Sequence, residues 1–426
     1  MNWGQIRARI LMVGGSQLLQ KLVGFFVIAV MTRHLARDRM GEFFLAAAIG
    51  TVVAQATELG TSRHLIRTVA RDHGGALGHL SRVLALRLPV MALAYVLVNV
   101  ACAVVKPSLS PTLVLVSLYL LLQDLTLTYS SFFVGLERYG YRVTFELVGQ
   151  VLLASLVLLL ASHGGGLHEI LWAYIVTHAT VLAVMYAVVR TRHGPLRLEW
   201  KVDHAIGVAR QSLPIFAVTL LDTMHFKADT VMLGFLRPLS AVASYEAAYR
   251  LFEVSRLAIR PVALIFFPIC VTLAARQEWP ELRRLFRKLT RMSLLLGAVA
   301  TLGVMLVAGW VVPLAFGDRY HDSIALVRVL FLTAPILFTG LLAVALIHTL
   351  HQERLAIRAA LGCLASNVAL NAVAIPLWGP MGCAWVTLAT QSLWTIWRSR
   401  IVLERLRTAP VEEVDLAGVA VEPSTA

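Results

Sequence analysis

Apolar residues in this chain come in blocks of about 20, the length a helix needs to cross the hydrocarbon core of a bilayer, and the polar residues gather between the blocks. Read at that window, the pattern predicts about twelve spans: residues 10–31, 43–59, 83–105, 113–136, 143–161, 170–189, 213–235, 242–273, 292–316, 324–348, 355–377 and 383–402. Basic residues test the count, because one missed span would scramble their alternation between the two sides. With the N-terminus in the cytoplasm, the inside segments hold 25 Lys and Arg and the outside loops only 6. Every inside segment contributes, from Arg7 and Arg9 at the start to Arg405 and Arg407 at the end. The rule therefore places both termini in the cytoplasm. The first block is too long for a signal-peptide core and has no small-residue cleavage site before Arg33, so it is expected to be a retained span. Trp378, Trp385, Trp394 and Trp397 fall near the ends of the last spans, as an interfacial aromatic belt would.

Composition narrows the classes further. Of 426 residues, 58% are hydrophobic and 15% charged, and the mean hydropathy is +0.75. A soluble enzyme is nearer half apolar and a quarter charged, and a disordered chain is more polar still. The formal charge of +14 would point to nucleic acid in a soluble protein. Here the basic residues punctuate apolar runs, so the membrane accounts for them and no nucleic-acid partner is implied. The fold class is an all-α integral membrane protein. Cys102, Cys270, Cys363 and Cys383 lie in apolar spans at no metal spacing and read as small core residues.

The two sets of six spans look related. Ala70-Arg71, Leu77, Leu80 and Arg82 recur with the same internal spacing as Ala275-Arg276, Leu282, Leu285 and Arg287. Six is an even number, so the halves share an orientation, and two parallel six-helix bundles around a midplane cavity is a transporter architecture. The expected units are residues 1–205 and 206–407, followed by an acidic tail, 408–426, expected to be disordered in the cytoplasm.

Charges inside the spans are the candidate chemistry. The eighth span carries Glu246, Arg250, Glu253, Arg256 and Arg260, which at 100° per residue share an arc of about 120°. Each charge at the bilayer centre costs about 2.5–3.5 kcal/mol even on the lenient insertion scale. They must face water, one another or an anionic ligand. An internal ladder of ion pairs (Glu246/Arg250, Glu253/Arg256) and a cavity lining both satisfy that demand. The seventh span sets Asp222, His225 and Asp229 on one face and Lys227 on another; the first groups Gln17, Gln20, Lys21 and Gly24. Asp124, the Glu146/Gln150 pair and Asn367/Asn371 complete the set. A positively lined cavity suits a phosphate-bearing substrate, with Arg forking onto phosphate oxygens and Lys acting as a point charge. Asp222, Asp229, Glu246, Glu253 and Asp124 are candidates for binding a coupling H+ or Na+. His178, His225 and His348 are proton-relay candidates with a blander reading as core histidines. No phosphate-cradling loop, zinc signature or nucleophile elbow is present, so neither direct ATP drive nor an enzyme activity is expected, and no cofactor or metal is called for.

Lys227-Ala-Asp229-Thr-Val-Met-Leu-Gly234, followed by Ala243-Ser-Tyr245-Glu-Ala-Ala248-Tyr-Arg250-Leu, resembles the seventh-to-eighth-span region of Wzx-like polysaccharide-biosynthesis flippases, the O-antigen and exopolysaccharide transporters of the multidrug/oligosaccharidyl-lipid/polysaccharide superfamily. The Gly41-Glu42-Phe43 turn, the span count and the paired Ala-Arg motifs extend the resemblance over most of the chain. Ala243 departs from it, standing where the family usually has glycine. The resemblance implies a MATE-like, V-shaped pair of bundles that alternates between inward- and outward-facing states in the bacterial inner membrane. It implies a cargo of undecaprenyl-pyrophosphate-linked oligosaccharide moved to the periplasmic leaflet, with other polysaccharide-assembly membrane proteins as partners. Carried over residue by residue, Lys21, Arg250, Arg256 and Arg260 would hold the headgroup. The alternatives are a cation-coupled multidrug exporter of the same superfamily, for which a net acidic cavity would be expected, and a membrane polymerase or glycosyltransferase, disfavoured by the short outside loops. A flippase for the peptidoglycan precursor is a further alternative, although those relatives commonly carry two more spans than are counted here.

Overall fold

A computed structural model describes residues 3–198, 202–350 and 352–408; within it, the side chains of residues 3–11, 13, 202–215, 255–265, 348, 353 and 408 fall outside the description, the relay candidate His348 among them. Among the described residues there are helices and turns and no strands. The helices are α1 (Trp3–His34), α2 (Arg37–Glu58), α3 (Thr61–Arg71), α4 (Ala76–Val105), α5 (Ser110–Gly135), α6 (Tyr139–Ser162), α7 (Leu167–His193), α8 (Val202–Leu236), α9 (Leu239–Ala275), α10 (Trp279–Phe316), α11 (Ser323–Phe331), α12 (Ala334–Thr349) and α13 (Glu353–Thr408).

Each predicted span has its helical counterpart, with three differences. The tenth span is broken, α11 and α12 meeting at a bend of 44°, because Thr333 and Pro335 sit where one straight helix was expected. The eleventh and twelfth are two legs of α13, separated at Gly379, whose φ of 58° and ψ of −136° no β-carbon-bearing residue adopts cheaply. The second continues past a break at Leu59 and Gly60, both in the left-handed region, into the short basic helix α3. Eight helices among the described residues are long and apolar enough to cross a membrane, nine with the bent pair. One of the eight is the two-legged α13, while α8 and α9, at 35 and 37 residues, are long enough but carry charges in mid-helix. The acidic tail expected at 408–426 lies outside the described residues apart from the backbone of Thr408.

Helices α1–α7 pack mainly on one another, as do α8–α13, and α2 crosses between the sets to lie against α8 and α9. The apolar core shows how they join. At one end a single core runs through both halves, uniting Met31, Phe44 and Leu45 with Tyr245, Phe252 and Phe338. Toward the other end, where the arginines concentrate, the core forks. Leu65, Leu80, Phe132 and Phe133 form one branch in the first half, and Phe266, Leu282, Phe286 and Leu346 a separate one in the second. The halves are thus fused at one end and carry independent cores at the other, although α3 and α4 still touch α8.

Two features close the fused end. A β-carbon on Gly41 of α2 would stand 1.8 Å from the Leu239 carbonyl oxygen of α9, so only glycine lets the backbones approach so closely. Beside that crossing, Arg37 reaches over the seam to Asp322 (2.5 Å) and to the Ser244 hydroxyl, with its guanidinium 5.6 Å from the centre of the Tyr320 ring. Gly41→Val is expected to hold the halves apart here. In a background without the four native cysteines, a cysteine at the buried Ala243 should then react with a membrane-impermeant maleimide several-fold faster than with Gly41 in place; equal rates would show that the seam tolerates the bulk.

Candidate functional site

The charged arc of α9 meets Lys227 of α8 and the aromatic face of α2 where the two halves cross. Glu246, 2% exposed, accepts a hydrogen bond from Thr230 and lies 3.7 Å from Lys227 Nζ. Arg250 follows one turn later, with Nε 4.0 Å from Glu246 and Nη1 3.7 Å from Glu253. Its guanidinium stands 5.8 Å from the centre of the Phe44 ring, so a cation on the second half reaches the first. Behind Phe44 the rings of Phe43, Tyr174, Tyr119 and His178 continue at centroid spacings of 5.1 to 6.2 Å.

The Glu246/Arg250 half of the expected ladder therefore exists, and Lys227 extends it into a neutral set of two acids and two bases. Glu253, expected to pair with Arg256, contacts Arg250, and the expected pair itself involves a side chain outside the described residues. The side chains of Arg256 and Arg260 lie outside the described residues. Arg250 is the half-buried middle of the set. At 31% side-chain exposure it donates no hydrogen bond among the described residues, and its Nε is buried without an acceptor. An under-bonded guanidinium next to a seam is a ready receptor for an oxyanion.

Lys21 is an exposed residue of α1. It lies at a groove of about 510 Å³ between α1 and the α9/α10 pair, lined by Phe25, Phe26, Val30, Leu251, Val254 and Leu314, with Arg33 also in its wall. The groove lies between the halves, and α9 contributes to it Leu251 and Val254, the neighbours of Arg250 and Glu253. Gln20, beside Lys21, donates to Glu146 (2.8 Å), which also accepts from Arg142 (2.9 Å). Glu146 thus ties α6 to α1 and does not pair with Gln150, whose amide oxygen is buried without a donor.

The other carboxylates separate into distinct settings. Asp229 is buried and accepts from the Tyr245 hydroxyl (2.7 Å), the Thr387 hydroxyl (2.7 Å) and the Asn371 amide (2.6 Å), the last backed by Asn367 (3.1 Å). It joins α8, α9 and both legs of α13 and has no cationic partner among the described residues. One turn away His225, also buried, contacts Gln391 (2.7 Å) and Cys363 (3.8 Å). Asp222 is exposed on α8. Asp124 is buried against Arg87, which also donates to Thr128 (2.5 Å). Arg87 went unnoticed in the sequence, although it is an arginine inside the third span facing the one acid of the fourth. Thr387 was missed too, because a hydroxyl in an apolar span carries no signal of its own.

Removing one member of a buried ion pair leaves the other uncompensated, at about 3–5 kcal/mol. Arg87→Leu should therefore lower thermal stability in lipid nanodiscs strongly, and Arg87→Leu combined with Asp124→Leu should recover most of the loss. A double variant as unstable as the single one would mean that the pair is not a closed unit.

A family model described as polysaccharide biosynthesis protein matches residues 30–325 of the chain. Among solved structures, the lipid II flippase MurJ in an inward-closed conformation is similar over 93% of this chain and 90% of its own, with a TM-score of 0.73 at 12% identity. A MATE-family multidrug resistance transporter of the MOP superfamily, inward-facing, gives 0.68 at 13% identity over 94% and 96%. The MATE multidrug transporter DinF-BH gives 0.65 at 14% identity over 93% and 94%. At such identities the likeness is one of fold. No curated protein sequence matches the chain.

Proposed function

The chain belongs to the polysaccharide biosynthesis protein family, and from that membership we propose that it is a flippase, not an enzyme, for undecaprenyl-pyrophosphate-linked oligosaccharide. The cargo passes from the cytoplasmic to the periplasmic leaflet of a bacterial inner membrane, and both termini, with the arginine-rich end, lie in the cytoplasm. The observation that carries this reading is Arg250: an under-bonded guanidinium between the halves, on the helix that walls a largely apolar groove. A pyrophosphate headgroup needs forked cationic donors and a sugar needs a water-filled path, while the tail stays in hydrocarbon. The groove beside Lys21 supports entry of such a two-natured molecule from the side. The forked core supports parting of the halves at the cytoplasmic end. Arg256 and Arg260 share the helix and complete the proposed headgroup site.

The test in cells follows the lipid-linked sugar. Arg250→Gln at normal protein level should leave the oligosaccharide in the cytoplasmic leaflet, scored with a membrane-impermeant probe, and reduce surface polysaccharide. Wild-type sidedness in that variant would remove the headgroup reading. The likeness to MATE transporters keeps a drug exporter as the second reading, and drug efflux by the purified protein with no movement of lipid-linked sugar would establish it.

Asp229 is proposed as the coupling site, for H+ or Na+. A buried carboxylate held only by neutral donors has a charge that a small cation can answer. In proteoliposomes, an imposed proton or sodium gradient should accelerate flipping by the wild type. Asp229→Asn should fold and flip slowly, with no response to either gradient; a full response would assign coupling elsewhere.

A further inference from the structure

Helix α10 is long and apolar enough to cross a membrane, yet its first turns are basic. Those turns bury Leu282 and Phe286 in the second half's separate core, which fixes the rotation of the helix. Rotation then decides what the opposite side presents. Arg287, Lys288 and Arg291 are exposed, and further along so are Leu295, Val299, Leu302 and Leu306, at 61% to 79%. At 100° per residue the three cations fall within about 60° of Leu302, so charge and apolar side chains form one continuous stripe. Trp310, also exposed, ends it, about 28 Å beyond Arg291 at 1.5 Å per residue. That length matches the ~30 Å of a hydrocarbon core, with cations at one boundary and an interfacial tryptophan at the other.

The cations at the head of the stripe lack counter-ions. Among the described residues none of the three has an ion pair or a side-chain hydrogen bond, whereas Arg284 meets Glu281 at 3.0 Å and Arg283 donates to the Leu406 carbonyl. No acidic residue follows Glu281 on the helix. The first half is built differently. Its exposed Arg63, Arg67 and Arg71 sit on the separate helix α3, and α4, whose exposed apolar residues include Leu93, Leu97 and Val100, carries no exposed Lys or Arg.

We propose that the stripe on α10 is a docking site for one anionic phospholipid of the leaflet at the arginine-rich end. Its phosphate lies against Arg287, Lys288 and Arg291, and its acyl chains run along Leu295, Val299 and Leu302. Charge complementarity and the continuity of the stripe carry the assignment together. A phosphodiester brings the charge that the cluster lacks; the arginines fork onto its oxygens and the lysine adds a point charge. A soluble anion would leave the apolar part unused, and a zwitterionic lipid would bring a further cation to a site that already holds three. Each basic residue near an anionic lipid surface favours it about fivefold. The site shares no residue with the one proposed around Arg250 and does not depend on the cargo.

The test reads the lipid beside the stripe directly. In full-length protein without the four native cysteines, Val299→Cys carries a bimane fluorophore, and a second preparation carries it at Leu93→Cys on α4, where exposure is the same 61%. Each is placed in phosphatidylcholine nanodiscs holding a fixed fraction of phosphatidylglycerol or phosphatidylcholine with a nitroxide on the acyl chain. At position 299 the phosphatidylglycerol should quench several-fold more than the phosphatidylcholine, the excess shrinking at high salt, and at position 93 the two should quench alike. Arg287→Gln, Lys288→Gln and Arg291→Gln together should abolish the excess. The same loss of charge through Arg63→Gln, Arg67→Gln and Arg71→Gln should leave it in place. Equal quenching at position 299, or an excess that survives the α10 substitutions, would overturn the proposal. So would an equal excess at position 93, or loss of the excess with the α3 substitutions, since the preference would then belong to the whole basic end. The comparison of the two positions keeps the native cations, so it decides the matter even where the triple variant does not fold.

Discussion

Hydrocarbon offers nothing to an ion or to an unpaired hydrogen-bonding group, so the helices of this protein must serve as one another's solvent. Arg87 and Asp124 are the plainest case, two charges on neighbouring helices that answer each other with almost no water in reach. Glu146 is answered from α1, and Glu246 from α8 and from its own helix. Asp229 is answered by hydroxyls and an amide from three directions. Each of these contacts fixes which helices are neighbours more firmly than apolar packing can, since lipid tails compete with apolar side chains on equal terms. The arrangement of the helices is in large part the record of where polar groups found partners.

How the two halves hold together follows from how the cores are divided. One core shared across the halves at one end makes that end a single body. Two separate cores at the other leave each half stable without its neighbour there. A molecule built this way can part at the forked end without exposing either core. The break at Gly379 and the bend between α11 and α12 both fall in the second half, so that half is the less regular of the two.

Much of this was written in the chain. Span positions follow from a length requirement of the bilayer, which makes them a local property of the sequence. The helix breaks were not legible, because Leu59-Gly60, Thr333–Pro335 and Gly379 lie within or beside apolar runs that a hydropathy window smooths over. Pairings were legible only along one helix. Glu246 with Arg250 follows from i,i+4 spacing, whereas Asp229 with Thr387 spans 158 residues and leaves no periodicity to detect. Arg87 was overlooked for the same reason: its partner lies on another helix.

The groove beside α1 has a consequence for the membrane around it. Its walls are almost wholly apolar side chains, and two of the helices that form it, α1 and α10, are long and apolar enough to cross a membrane. An apolar space of this kind in a bilayer is suited to an acyl chain. Under the flippase proposal, a cargo entering here would have to displace such a chain before its own tail could settle. On that proposal the bilayer competes with the cargo, and turnover would depend on fatty-acid composition as well as on the polypeptide.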